Sequence, residues 1–319
     1  MIVLTGGAGF IGSCFLASLN AAGREDVLIV DSLGTGNKWK NLVDRTFIGI
    51  VGKEEFRDMM AVGDVEDVEA VVHMGACSST TETDADYLYD NNYLYSIDVA
   101  EFAIERGARF IYASSAATYG SGSRGYTDGS TDLRPLNMYG YSKHLFDRWI
   151  REQNLTDSCV GLKFFNVFGP NEYHKGSMSS MVFKAVSQIH ASGSVSLFKS
   201  VDPSYTDGGQ MRDFVYVKDV CKVMMTLLER PDVNGIMNLG TGVARTWNDL
   251  MNAVFTAMGR EPNIVYTDMP EGLAKQYQNF TLADMSTMQR ALPDVHFGPL
   301  ESTVADYVQE HLLKDWPYL

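Results

Sequence analysis

Thr5-Gly6-Gly7-Ala8-Gly9-Phe10-Ile11-Gly12 is the stretch on which the fold turns. It follows the apolar run Ile2 to Leu4, which reads as a short buried strand, and opens a helical pattern from Phe10 to Ala22. The three spaced glycines have separate tasks in that setting. Gly6 permits the tight turn, Gly9 lets backbone approach a pyrophosphate, and Gly12 lets helix pack on strand. Free N–H groups and the positive dipole end of the helix then attract the phosphates. A purely structural glycine turn is the alternative, and the position between strand and helix favours dinucleotide binding. Asp31 closes the second strand, Val27 to Val30, about twenty residues on, where an acid accepts the adenosine ribose hydroxyls and favours NAD. Lys38 and Lys53 follow in loops bordering that ribose, and unless they are simply surface lysines their ammonium groups attract a 2′-phosphate. The balance leans to NADP, with NAD tolerated.

Further buried strands read at Ala70 to His73, Arg109 to Ala113 and Val160 to Phe165, with helices at Tyr87 to Arg106 and Tyr141 to Gln153. Strands alternating with helices at this spacing predict βαβ units. The fold class expected is α/β, a Rossmann-type doubly wound parallel sheet with a smaller mixed α/β C-terminal substrate lobe. The boundary falls at residues 1–168 for the NAD(P)-binding part, with about 212–240 crossing back, and 169–319 for the substrate lobe. Within that second part a helix reads at Ser179 to Ser192, strands at Val215 to Val217 and Met237 to Leu239, and a mobile polar loop at Asp202 to Gln210.

The 319 residues carry 45% hydrophobic and 21% charged residues, an ordinary globular balance. A net charge of -14 argues against nucleic acid or anionic membrane as a partner. Cys14, Cys77, Cys159 and Cys221 lie far apart without a Cys-x-x-Cys pair, so no metal site is expected and reduced thiols in the cytoplasm fit best. The first strand begins at Ile2, leaving no room for a leader, and no apolar run reaches membrane-spanning length.

Tyr139-Gly-Tyr-Ser-Lys143 puts a phenol and an ammonium one helical turn apart. Lowering a phenol by three pKa units takes about 4 kcal/mol. An ammonium about 4 Å away at an effective dielectric near 20 supplies about that much. Alone, such a pair can be decoration on a solvated face. Upstream, Ile111-Tyr-Ala-Ser-Ser115 is a strand entering a turn, so Ser115 sits at a strand's carboxyl end, where ligands of open parallel sheets bind.

The glycine loop, Ser115, Tyr139 and Lys143 together resemble the extended short-chain dehydrogenase/reductase family, and the similarity extends through Phe165-Asn-Val-Phe-Gly-Pro170, Arg212-Asp-Phe-Val-Tyr-Val217 and Asn238-Leu-Gly-Thr-Gly242. The resemblance implies that Ser115 and Tyr139 handle a substrate hydroxyl while Lys143 holds the nicotinamide ribose. It further implies cofactor contacts from Phe10, Ile11, Ser32, Met74, Gly75, Ala76, Cys77, Ser78, Asn91, Val167 and Lys175. Gly75 to Glu82, Asp90 to Tyr93, His174-Lys-Gly-Ser-Met178 and Tyr277 to Thr281 resemble, in that order, the branch that inverts C6 of an ADP-linked heptose for lipopolysaccharide inner-core supply. That branch is a self-associating one.

Inverting an alcohol carbon outside the sugar ring moves its oxygen, so one acid/base does not serve both faces and a second is needed. Lys175 matches the branch's second base; a phosphate-binding or surface lysine is the alternative. Arg212 is placed to clamp a pyrophosphate bidentately. Asn166, Ser177, Phe198 and Tyr277 match substrate-binding positions, as does Lys184, which replaces the branch's His. His73 reads as structural, and His174 has no inferable role. A 4,6-dehydratase is disfavoured, since Ala116-Ala117-Thr118 stands where its Asp-Glu acid/base pair belongs. A UDP-sugar 4-epimerase is the nearer rival, and a non-catalytic cofactor sensor the remoter one.

Overall fold

The computed structural model describes residues 1–274 and 277–319. Its strands are β1 (Ile2–Thr5), β2 (Val27–Val30), β3 (Gly49–Val51), β4 (Ala70–His73), β5 (Arg109–Ser115), β6 (Cys159–Phe164), β7 (Asn166–Phe168), β8 (Val195–Phe198), β9 (Met211–Tyr216), β10 (Gly235–Leu239), β11 (Ala244–Thr246) and β12 (Ile264–Thr267). Seven of them form one sheet in the order β10-β6-β5-β4-β1-β2-β3, every pair parallel. The winding reverses between β1 and β4, and a crevice therefore opens at their carboxyl ends.

The central strands are buried throughout, and their side chains alternate between two cores that sort the helices onto two faces. Ile2, Leu4, Ile29 and Val72 join one core with α1 (Phe10–Ala21). Val3, Leu28, Val30 and Val71 join the other, which includes Phe56 of α2 (Lys53–Val62). Beyond α3 (Ala85–Tyr89), the same second core takes Val99 and Phe102 of α4 (Tyr95–Glu105) and Phe146 of α5 (Met138–Glu152). Past α6 (Met181–Ser192), α7 (Val217–Glu229) returns to pack against α1 on the first face. The helix α8 (Trp247–Ala257) follows β11.

The chain leaves the large sheet at Phe165, enters a three-stranded sheet ordered β11-β9-β7, and returns as β10 on the free edge of β6. A two-stranded parallel pair, β12-β8, lies apart from both.

Several boundaries differ from the sequence reading. Helix α5 starts at Met138 rather than Tyr141, because the Asn137 side chain caps it by accepting from Gly140 N at 2.8 Å. The single helix expected over Tyr87 to Arg106 contains a π turn at Asp90–Leu94, which turns Asn92 inward. The strand expected at Val215 to Val217 is β9, which starts at Met211 and ends before Val217 opens α7. Residues 202–210 form turns, as expected of a loop, with Ser200 N donating to Asp207 and Ser204 N to Asp202, each at 2.9 Å. Among the described residues no helix is long and apolar enough to cross a membrane, and no cluster of His, Cys, Asp and Glu could hold a metal ion.

Candidate active site

A cavity of about 580 Å³ runs along the carboxyl ends of the central strands. At one end lies the glycine turn. Gly6 has φ +67°, and a Cβ there falls 2.6 Å from the backbone N of Gly75. A Cβ at Gly12 falls 2.2 Å from the Gly6 carbonyl oxygen, so helix α1 can meet the turn only without a side chain at that point. Gly9, Phe10 and Ile11 line the same end, with the amides of the first helical turn free for an anion. Met74, Gly75, Ala76 and Ser78 line the β4 side.

Asp31 accepts from Ala8 N at 2.9 Å and from Ser32 N at 2.7 Å, and pairs with the Lys38 ammonium. Asp31 and Lys38 line the cavity, whereas Ser32, Lys53, Cys77 and Asn91 lie off its wall. Lys53 is engaged by Asp90 at 2.9 Å and Glu54 at 3.2 Å. Cys77 is tied by its backbone to the buried Asn92, whose Oδ1 accepts from Cys77 N at 2.8 Å and whose Nδ2 donates to Cys77 O at 2.9 Å. Asn91 donates to the same Asn92 carbonyl.

Ser115, Tyr139 and Lys143 come together at the middle of the cavity. The Ser115 hydroxyl accepts from Ala117 N at 3.1 Å. Burial raises the Tyr139 phenol above its ordinary value, and the Ser115 hydroxyl pulls it back down. Lys143 donates to the Ala113 carbonyl at 2.9 Å, and burial holds its ammonium down to about 8. The expectation that Lys143 lowers the phenol is thereby corrected. The chief influence on Tyr139 is loss of water, and the ammonium is committed to the strand carbonyl.

Asn166, Val167, Lys175, Ser177 and Lys184 line the same cavity from the segment after β6 and the start of α6. The Lys175 ammonium stands 5.2 Å from the centre of the Phe10 ring. Burial lowers it, nearby Glu172 opposes that, and Lys184 adds to it. Lys184 donates to the Ser177 carbonyl at 2.6 Å, bracing the backbone around Gly176, which has φ +54°.

Arg212 and Tyr277 lie outside the cavity and reach it through Trp247, which lines it. The guanidinium is 5.1 Å from the Tyr277 ring and 5.7 Å from that of Trp247, whose Nε1 donates to the Tyr277 hydroxyl at 2.9 Å. Phe198, at the end of β8, is 37% exposed and stands apart from the cavity.

Sequence reading missed Trp247 and His174, which line the cavity, and Asn92, which is buried away from it and holds the Cys77 backbone. His174 lines the cavity beside Lys38 and Lys175 and is pushed down to about 4 by burial and those two charges. An Asn facing inward at a π turn has no periodic signature, whereas His174, adjacent to Lys175, was visible without an assignable task.

The model of the NAD dependent epimerase/dehydratase family matches residues 2–240. The chain belongs to that family. Two relatives within this epimerase/dehydratase family, both named ADP-L-glycero-D-manno-heptose-6-epimerase, match over the full length of both chains. The protein from Nitratidesulfovibrio vulgaris (strain Hildenborough) is 55% identical and that from Fusobacterium nucleatum 45%. The crystal structure of the Helicobacter pylori ADP-L-glycero-D-manno-heptose-6-epimerase superposes with a TM-score of 0.84 at 26% identity, covering 97% of this chain and 95% of that one.

Proposed function

We propose that the chain interconverts ADP-D-glycero-β-D-manno-heptose and its L-glycero epimer by oxidising C6 to a ketone and reducing it from the other face. The observation carrying this reading is that Tyr139 and Lys175, on separate elements, line one cavity with Ser115 and Lys143. Full-length relatives bearing the heptose epimerase name support the substrate.

The residues suit a nicotinamide dinucleotide. Gly6, Gly12 and the first turn of α1 would hold its pyrophosphate, Asp31 and Lys38 its adenosine ribose, and Lys143 its nicotinamide ribose. Bound there, it supplies reversible hydride chemistry. We take it to be NADP, with Lys38 as the cation beside Asp31. Lys53 reaches a 2′-phosphate only by leaving Asp90 and Glu54.

Tyr139, protonated at neutral pH because burial favours the neutral phenol, donates to the oxygen of the ketone in one pose, and Ser115 orients that oxygen. Lys175, whose amine is lowered by burial, accepts the alcohol proton in the other pose. In the reverse direction the roles exchange, the Tyr139 phenolate taking the alcohol proton and the Lys175 ammonium giving one up, and between turnovers the two regain their starting forms by proton exchange with water. Arg212, between Trp247 and Tyr277, clamps the diphosphate, and Asn166, Ser177 and Lys184 hold the sugar end.

Residues 1–168 with 212–240 serve as the cofactor-binding part and 169–319 otherwise as the substrate part, in a cytoplasmic, self-associating enzyme. Purified protein with a catalytic amount of cofactor tests the reading. Appearance of the C6 epimer from ADP-heptose is the expected result, and an unchanged C6 with turnover of a UDP-hexose instead assigns the rival 4-epimerase.

A further inference from the structure

Behind the cavity wall lies an ion pair with no access to solvent. Lys163 on β6 and Asp147 on α5 are both 0% exposed, and the ammonium lies 2.6 Å from Oδ2 of the carboxylate. Neither side chain lines the cavity. As a source of stability such a pair is a weak choice. Desolvating two charges offsets most of their attraction, and apolar replacements of similar volume are often neutral or better.

The hydrogen bonds around the pair indicate a different task. Tyr139, Lys143 and Asp147 recur every fourth residue on α5 and share a face. Asp147 accepts from the Tyr112 hydroxyl at 3.0 Å and the Ser114 hydroxyl at 2.8 Å. Between those two residues is Ala113, the carbonyl that receives the Lys143 ammonium. Lys163 donates in addition to Thr118 Oγ1 at 2.8 Å, and Thr118 donates to the Ser115 carbonyl at 2.8 Å. The two charges therefore grip both ends of the segment 112–115 from its rear.

We propose that Asp147 and Lys163 are positioning residues, clamping the end of β5 to α5 so that the Ser115 hydroxyl and the Lys143 ammonium are presented together to the cavity. This rests on the epimerase reading of that cavity. The carboxylate also acts through its charge: Lys143 is depressed by burial, and Asp147 opposes that depression. Other titratable groups facing the pair are Tyr112 on β5, Tyr119 just after β5, whose ring centre is 5.1 Å from the Lys163 ammonium, Cys159 on β6, Asp128 from the connection before α5, and His144 and Arg151 on α5 itself. Those facing Lys143 are Cys77 and His73.

Asp147→Asn alone strands the Lys163 ammonium in the interior and endangers folding. Asp147→Asn with Lys163→Met removes both charges together. In the holoenzyme of this double variant, kcat for ADP-heptose falls about tenfold at unchanged KM, because no substrate contact is touched. The alkaline limb of the pH–rate profile moves down as Lys143 loses the anion that opposes its depression. A limb that stays in place, or a change confined to KM or melting temperature, overturns the proposal.

Thr118→Val keeps the ion pair and cuts only its link to the Ser115 carbonyl, so it decides the matter should the double variant not fold. A severalfold loss in kcat is expected, and wild-type kcat overturns the clamp. The 15N NMR titration of the Lys143 side chain needs no substrate. A lower titration point in the double variant supports the proposal and an identical one refutes it, whereas wild-type protein that leaves ADP-heptose unchanged refutes the functional reading alone.

Discussion

Gly12→Ala is the sharpest test of the cofactor end of the cavity. The added Cβ meets the Gly6 carbonyl oxygen at 2.2 Å, its carbon at 2.8 Å and Gly7 Cα at 3.0 Å, all of them backbone. No side chain can rotate away, so α1 must retreat from the turn by about 1 Å. Overpacking of this kind costs about 1–3 kcal/mol of stability. A displaced helix N-terminus also loses at least one amide-to-phosphate hydrogen bond, worth about 1.5–3 kcal/mol when the acceptor is charged. Cofactor affinity then falls roughly 10- to 150-fold. Isothermal titration with NADP and with NAD measures this, and Gly36→Ala is the control, since nothing lies within 4 Å of a Cβ at that site. If Gly12→Ala binds cofactor within threefold of wild type and melts at the same temperature, the turn is not the phosphate cradle described above.

Tyr139→Phe and Lys175→Met are each expected to lower kcat for epimerisation by about 10²- to 10⁴-fold while cofactor stays bound; loss of cofactor in Lys175→Met, read by absorbance of the purified protein, marks that lysine as structural. Asp31→Ala removes the carboxylate that accepts from Ala8 N and neutralises Lys38, so preference moves toward NADP by about tenfold, and an unchanged NAD/NADP affinity ratio refutes the role given to Asp31. His73 is buried between Thr5 at 2.7 Å and Ser96 at 2.9 Å, and burial pushes it down to about 3. Unfolded, it titrates near pH 6.5. The unfolded chain therefore takes up the proton first, and the His73 contribution is whole above about pH 6.5 and lost as pH falls toward 3. At pH 5 the loss is about 2 kcal/mol. Denaturant unfolding at pH 7 and pH 5 measures it, and His73→Gln with the same pH dependence as wild type contradicts this account.

The parallel sheet was legible because its central strands are short, apolar and buried on both faces, and because a glycine turn joins the first of them to a helix. Helix α2 escaped notice for the opposite reason: half of its ten residues are charged and it buries only one, Phe56. Strand β3 has only three residues, none fully buried. At the site, spacing along one helix was enough to pair Tyr139 with Lys143. It could not tell that the ammonium turns to the Ala113 carbonyl, since that depends on where β5 ends relative to α5. Asp147 was equally unreadable. One turn beyond Lys143 it resembles a surface acid, until β6 delivers Lys163 beneath it.

The placement of β10 beside β6 has a consequence for how the chain is made. During synthesis, β6 emerges at residues 159–164, fully buried in the finished molecule along its whole length, yet its outer neighbour spans residues 235–239. For some seventy residues of further elongation, about 4–14 s at typical ribosomal rates, this strand, apolar but for Lys163, has an unpaired edge. An open edge of that composition is a template for pairing with another nascent chain. Yield on rapid overproduction should therefore respond to translation speed and to chaperones that shield strand edges, independently of the stability of the completed protein.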